Sequence, residues 1–162
     1  MSDVILAIDP GTDESAYVVL DGHLLAQHGI VPNDEMLCII ADVYGNEEAD
    51  VMVIEKPEGR GMPVGQSTLD TAFAAGQFWE TWRGNKGTLF RRQVKMCLCG
   101  NMNAKDKNVD CVVANRFGGE DKRRAKGTKK HKGPLYGIHD DEWAALAVAL
   151  TWQETKGERN ER

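Results

Sequence analysis

The stretch "VILAIDPGT", residues 4–12, is apolar until one carboxylate, Asp9, interrupts it, and Pro-Gly-Thr follows at once. A second apolar run, "AYVVLDG" at 16–22, begins after "DES". The first run is apolar on both alternating faces, which predicts a central strand covered on two sides. Pro10 fixes φ, Gly11 permits positive φ, and Asp13 and Ser15 can close side-chain turn bonds, so "PGTDES" predicts a turn. A carboxylate at the end of a buried strand is costly to desolvate unless a cation meets it. Which cation meets Asp9 is the question the rest of the chain answers.

Working outward, "HLLAQHGIV" (23–31) predicts a third strand, joined to the second by the hairpin signal Asp21-Gly22. "PNDEMLCIIADVYG" (32–45) predicts a helix with Met36, Leu37, Ile39, Ile40 and Val43 on one face and Gly45 as its stop. "ADVMVIEKPEG" (49–59) predicts a fourth strand that ends in Glu55, because Pro57 cannot continue a ladder. A glycine-rich connector leads to "STLDTAFAAGQFWETW" (67–82), a helix with Ser67 as N-cap and Asp70 in the capping-box position. "GTLFRRQV" (87–94) supplies a fifth strand, and "NAKDKNVDCVVANRFGG" (103–119) a helix ended by Gly118 and Gly119. The last segment, "GPLYGIHDDEWAALAVALTWQETK" (133–156), is a short extended piece and a long helix whose alanines allow close packing on a sheet. The order gives an α/β protein: a central mixed five-stranded sheet flanked by helices, in one domain over 1–162.

Three acidic positions from distant segments share one property. Asp9 ends the first strand, Glu55 ends the fourth, and Asp140, Asp141 and Glu142 open the last helix. Acids at strand ends and in first helical turns are common, since the helix dipole favours them. Their joint placement is less common: it would gather carboxylates at one rim of the sheet, where they repel unless hard cations lie between them. Mg²⁺ prefers such oxygen ligands, and two ions roughly 4 Å apart can activate water and stabilise a leaving oxygen in phosphodiester hydrolysis.

These residues carry a resemblance. "AIDPGT" (7–12), "VIEKP" (53–57) and an acid opening "WAALAVALT" (143–151) resemble the RuvC-type resolvases of the RNase H-like superfamily. "MPVGQSTLDTAFAAGQFWE", "LFRRQVKMCLCGNMNAKDKNV" and "GPLYGI" are most similar to its phage-type members, and the likeness runs from about residue 3 to 152. It implies an RNase H-like fold and a Mg²⁺-dependent endodeoxyribonuclease, with Mn²⁺ as substitute, that cuts four-way (Holliday) junctions as a homodimer. By motif, Asp9 bridges two ions, Glu55 holds one and Asp141 the other. Asp140 and Glu142 are further candidate ligands, because the family's bacterial members carry an additional acid where this chain has Ala144. The aromatic that the family often places after the second acid is missing from "EKPEGRGM", with Met62 the one large apolar side chain there. The resemblance also implies the cytoplasm of a bacterial host cell. A junction-binding protein without activity, and a related nuclease acting on flaps or RNA–DNA hybrids, are the alternatives.

Charge supports a nucleic-acid partner despite a net −5. "DKRRAKGTKKHK" (121–132) carries +6, which leaves −11 on the other 150 residues. Its cations, Lys122, Arg123, Arg124, Lys126, Lys129, Lys130 and Lys132, predict a flexible basic loop over 119–133 that follows DNA phosphates. Arg91, Arg92, Lys95, Lys105 and Lys107 are further phosphate-contact candidates. No apolar run reaches the roughly 20 residues that span a bilayer, and "MSDVILAID" lacks the basic start of a secretory signal. No Walker-type phosphate loop is present, so no nucleotide cofactor is expected. The "DPGT" turn also occurs in actin-like and sugar-kinase ATPases, but those need two such domains. Cys38, Cys97, Cys99 and Cys111 lack the paired spacing of a zinc site and are expected as thiols.

Overall fold

The computed structural model describes residues 2–160. Strands β1 (Val4–Asp9), β2 (Glu14–Asp21) and β3 (Leu24–Pro32) form an antiparallel meander. Its second turn lies on Gly22, whose φ of 59° suits glycine. Helix α1 (Asn33–Gly45) crosses over to β4 (Val51–Glu55), which pairs parallel to β1. Helix α2 (Gln66–Thr81) leads to β5 (Asn85–Leu89), parallel to β4. The sheet order is β3-β2-β1-β4-β5, the mixed five-stranded sheet expected. Helices α3 (Arg91–Cys99), α4 (Asp106–Arg116), α5 (Lys122–Lys126) and α6 (Glu142–Asn160) follow.

Alternation along β1 and β4 sorts their side chains onto two faces. Leu6, Ile8, Met52 and Ile54 meet Met36, Ile40 and Val43 of α1 and Phe78 and Trp82 of the α2 segment. Ile5, Ala7, Val51 and Val53 meet α3, α4 and α6. Ala145, Ala147 and Ala149 are fully buried there, so α6 lies close on the strands as its small residues predicted. Gly87 of β5 extends that fit, since a Cβ there would stand 2.3 Å from the Trp152 ring. The C-terminal half of α6 reaches back to the start of β1, where Lys156 pairs with Asp3. Its N-terminus therefore lies at the opposite rim, where β1 and β4 end.

Four expectations need correction. The fifth strand stops at Leu89, because the Phe90 N–H is taken by the Gln93 side chain (2.7 Å) and helix α3 starts at Arg91. Helix α2 is preceded by Gly65 as its N-cap, not Ser67, and Asp70 instead accepts from the Gln66 side chain at 2.8 Å. The basic stretch is not loop throughout: Asp121 caps a five-residue helix by accepting from the Arg124 N–H at 2.9 Å, and Gly127 bridges Lys132. Ala125 of that helix is buried in the core, which ties the basic segment to the body. Asp140, expected from the sequence to cap α6 with its side chain on free N–H groups, yields that position to Asp141, whose carbonyl accepts from the Ala145 N–H. No helix is long and apolar enough to cross a membrane among the described residues, and no disulfide joins the four cysteines there.

Candidate active site

Asp9 and Glu55 each lie one residue past the paired Ile8 and Ile54, on adjacent parallel strands. Both continue the odd-numbered rows Ile5-Ala7 and Val51-Val53, so they project toward the face covered by α6. The turn after Asp9 is held by a local network. Ser15 accepts from the Gly11 N–H (3.0 Å) and donates to Asn33 (2.6 Å), and Asn33 donates to the carbonyls of Gly11 and Thr12, each at 3.1 Å. A Cβ at Gly11 would lie 2.2 Å from the Glu14 carbonyl oxygen, so the turn closes this tightly only with glycine. These bonds tie the end of β1 to α1 and fix where Asp9 points.

Burial pushes the Asp9 carboxyl up to about 8, and the negative charges of Glu55 and then Asp141 push it the same way. Glu55 is also raised, chiefly by burial, against the opposing pull of Arg91. The three acids singled out in the sequence thus share one electrostatic site. Asp141 holds the N-cap position of α6, with its carbonyl accepting from the Ala145 N–H at 3.1 Å, and its side chain is exposed.

The other two acids of "DDE" go elsewhere. Glu142 is only 1% exposed and both its oxygens are engaged: Oε1 with the His28 ring (2.9 Å), Oε2 with the His139 N–H (2.7 Å). It is corrected from a candidate metal ligand to a strut that ties the start of α6 to β3. Asp140 has a left-handed φ of 44°, and its carboxylate, 82% exposed, meets the His139 ring at 3.0 Å. Glu142→Ala should cost about 1–3 kcal/mol of stability, the scale of losing the hydrogen bonds of one buried, engaged carboxylate. Urea unfolding of the metal-free protein measures it.

Two residues gained importance only in three dimensions. Asp106, in the first turn of α4, raises the pKa of both Asp9 and Glu55. Arg91 donates to Asp106 at 2.8 Å and lies 3.7 Å from Glu55, and Lys95 pairs with Asp106 at 3.3 Å. Arg91 and Lys95 therefore face the acids, whereas Arg92 is exposed and pairs with Glu58 (3.4 Å), and Lys105 and Lys107 are exposed.

A cleft of about 760 Å³ runs from Asp141, Asp106 and Arg91 to the basic segment, with Asp9 and Glu55 outside its lining. Arg91, Asp106, Asp140 and Asp141 line one side, and Lys122, Arg123 and Lys126 another, with Ala144 in the wall. Lys122 is held by Asp110 and lies over the Trp143 ring at 4.8 Å. Arg124 pairs with Glu120 (2.6 Å) and Lys132 lies over Tyr136 (4.9 Å), while Lys129 and Lys130 are exposed.

The donor set suits a hard divalent cation. It consists of carboxylates, and Glu55 Oε2 is buried without a hydrogen-bond partner. Among the described residues no three acidic, His or Cys side chains stand close enough together to grip an ion as they are. Part of the space beside Glu55 is taken by Arg91.

No protein-family model matches the sequence, and no curated protein matches it. Solved structures do match. The chain superposes on Thermus thermophilus RuvC with a TM-score of 0.66 at 17% identity, covering 95% of this chain and 96% of that one. Against the same protein in complex with a Holliday junction substrate the TM-score is 0.70, again at 17% identity and with 96% of each chain covered. The fold is that of RuvC. The yeast mitochondrial Holliday junction resolvase shares it at a TM-score of 0.57 and 12% identity, over 96% of this chain and 81% of that one. Asp9 and Glu55 end the adjacent strands β1 and β4, and the charge of Asp141, at the start of α6, acts on both.

Proposed function

We propose that this chain is a structure-selective endodeoxyribonuclease that cuts four-way DNA junctions with divalent metal, acting as a homodimer. The observation that carries the reading is the cleft that brings Asp141, whose charge acts on Asp9 and Glu55, together with Lys122, Arg123 and Lys126. Buried acids alone repel a phosphodiester, and basic residues alone bind it without cutting. Acids and cations side by side suit cleavage. The RuvC fold, seen in one neighbour bound to a Holliday junction substrate, supports the same substrate class.

Asp9, Glu55 and Asp141 would hold the metal, which when bound activates water and stabilises the leaving oxygen. Asp141, exposed at its helix start, is the ligand free to rotate inward. Glu142 and His28 keep α6 in place, so that Asp141 stays aligned with the sheet rim. Lys95, paired with Asp106, would add positive charge next to the acids.

The basic segment positions DNA by phosphate contact, without reading sequence. Arg123 and Lys126 line the cleft, and Lys129 and Lys130 project from the neighbouring turn. Replacing these four with Ser weakens junction binding and lowers the slope of log affinity against log salt by about 0.9 for each phosphate no longer neutralised. A salt series of binding isotherms measures this, and an unchanged slope would leave the segment without a role in DNA binding.

Two sites facing opposite strands require a two-fold dimer. The apolar bulk of α2 in the sequence (Phe73, Phe78, Trp79, Trp82) makes it the expected contact, yet Phe78 and Trp82 are buried within the chain, and the Trp82 indole donates to the Asn85 carbonyl. Phe73 and Leu69, one turn apart and 72% and 54% exposed, are the apolar residues that remain outside. Phe73→Glu should shift a dimer to monomer in analytical ultracentrifugation. A wild-type protein that sediments as monomer both alone and on junction DNA would contradict the dimer.

A further inference from the structure

Arg91 occupies an unusual position for a cation. Its guanidinium Nη1 and Glu55 Oε2 are 3.7 Å apart, both are sealed from solvent, and neither has a hydrogen-bond partner. The contact is an attraction of charges without directional bonds. The other end of the guanidinium is firmly held, since Nη2 donates to Asp106 at 2.8 Å. Asp106 is 70% exposed and also pairs with Lys95, so this anchor lies at the open side of the cleft. Asp9 and Cys99 complete the titratable surroundings of Arg91.

We propose that Arg91 is a resident counter-ion that competes with divalent metal for Glu55 and then turns toward DNA phosphate. The proposal rests on the metal-dependent nuclease reading and deepens it. A buried carboxylate needs a positive charge nearby, and Arg91 supplies it when no ion is bound. A divalent ion at the same oxygen repels the guanidinium. The loose end of Arg91 leaves Glu55, and the Asp106 anchor keeps it in the cleft shared with Lys122 and Arg123. There a planar guanidinium matches phosphate oxygens. Metal loading and DNA binding thereby favour one another, because the displaced cation finds a new anion only when DNA is present.

The test is Mn²⁺ binding to the DNA-free protein, read from the loss of the free-ion electron paramagnetic resonance signal. Arg91→Met keeps bulk and removes charge, so it should bind Mn²⁺ at least about tenfold more tightly than wild type. Arg91→Lys keeps the charge and should bind within about threefold of wild type, a free-energy difference of under 1 kcal/mol. Arg91→Gln gives the same comparison as Met should the Met variant fail to fold. Equal or weaker Mn²⁺ binding by a folded neutral variant overturns the counter-ion role while leaving the nuclease reading intact. Absence of Mn²⁺ binding by wild type and variants alike overturns both.

Discussion

Asp9→Asn lowers four-way junction cleavage by at least about 10²-fold, the scale of several kcal/mol of transition-state charge stabilisation, and leaves junction binding nearly unchanged. Asp9 lies at the centre of the site, where it feels Glu55, Asp141, Arg91 and Asp106 together. The phosphate-contacting cations are on other elements, so the substitution removes chemistry and spares affinity. A second signature appears without metal. Asp9 titrates at about 8 in the folded chain against an ordinary 3.8. Between those values the folded protein keeps a proton that the unfolded chain releases, so the contribution of Asp9 to stability falls as pH rises from about 4 to about 8. Asn cannot ionise. In EDTA the substituted protein should melt several degrees above wild type at pH 8, with the gap closing toward pH 4. Thermal melts across pH measure this, and an equal gap at all pH values would mean Asp9 is not the crowded acid.

Asp141→Asn should likewise cost at least about 10²-fold in cleavage rate, while Asp140→Asn leaves the rate within about threefold. The contrast follows from position. Asp141 acts on Asp9 and Glu55, whereas Asp140, which also borders the cleft, is engaged by the His139 ring. Asn accepts the left-handed backbone of residue 140 and therefore preserves the turn into α6. Asp141→His should retain partial activity, since imidazole can still ligate a divalent ion. Single-turnover rates on one junction substrate rank the three. Equal damage at 140 and 141 would show that the start of α6, not a particular carboxylate, had been disturbed.

Much of the sheet was legible because its strands are short apolar runs with turn chemistry between them. Asp9 and Glu55 were legible for the same reason: each is the first carboxylate after a run that is buried on both faces. Helix α3 was misread as strand. Val94 and Leu98, both buried and four residues apart, carried a helical signal, but "GTLF" before them reads as a strand with no visible stop. The stop is a side-chain bond from Gln93, which propensity does not register.

At the site, three consecutive acids left the register of α6 open. Only the fold reveals that Glu142 meets His28, a residue 114 positions away. Arg91 read as one more surface cation beside Arg92. Its engagement with Glu55 and Asp106 depends on α3 packing against α4, which no local pattern announces. The basic stretch was visible as charge, while its attachment to the core through Ala125 was not.

The activity proposed for the site is metal-dependent cutting of branched DNA beside a phosphate-binding wall. Its most direct measurement compares wild-type cleavage of a synthetic four-way junction, a flap, a linear duplex and an RNA–DNA hybrid, each in Mg²⁺ and in EDTA. Paired nicks near the junction centre are expected in Mg²⁺, with little cutting of the duplex and none of any substrate in EDTA. Tight junction binding without cleavage in Mg²⁺ or Mn²⁺, or cutting that persists in EDTA, would contradict it.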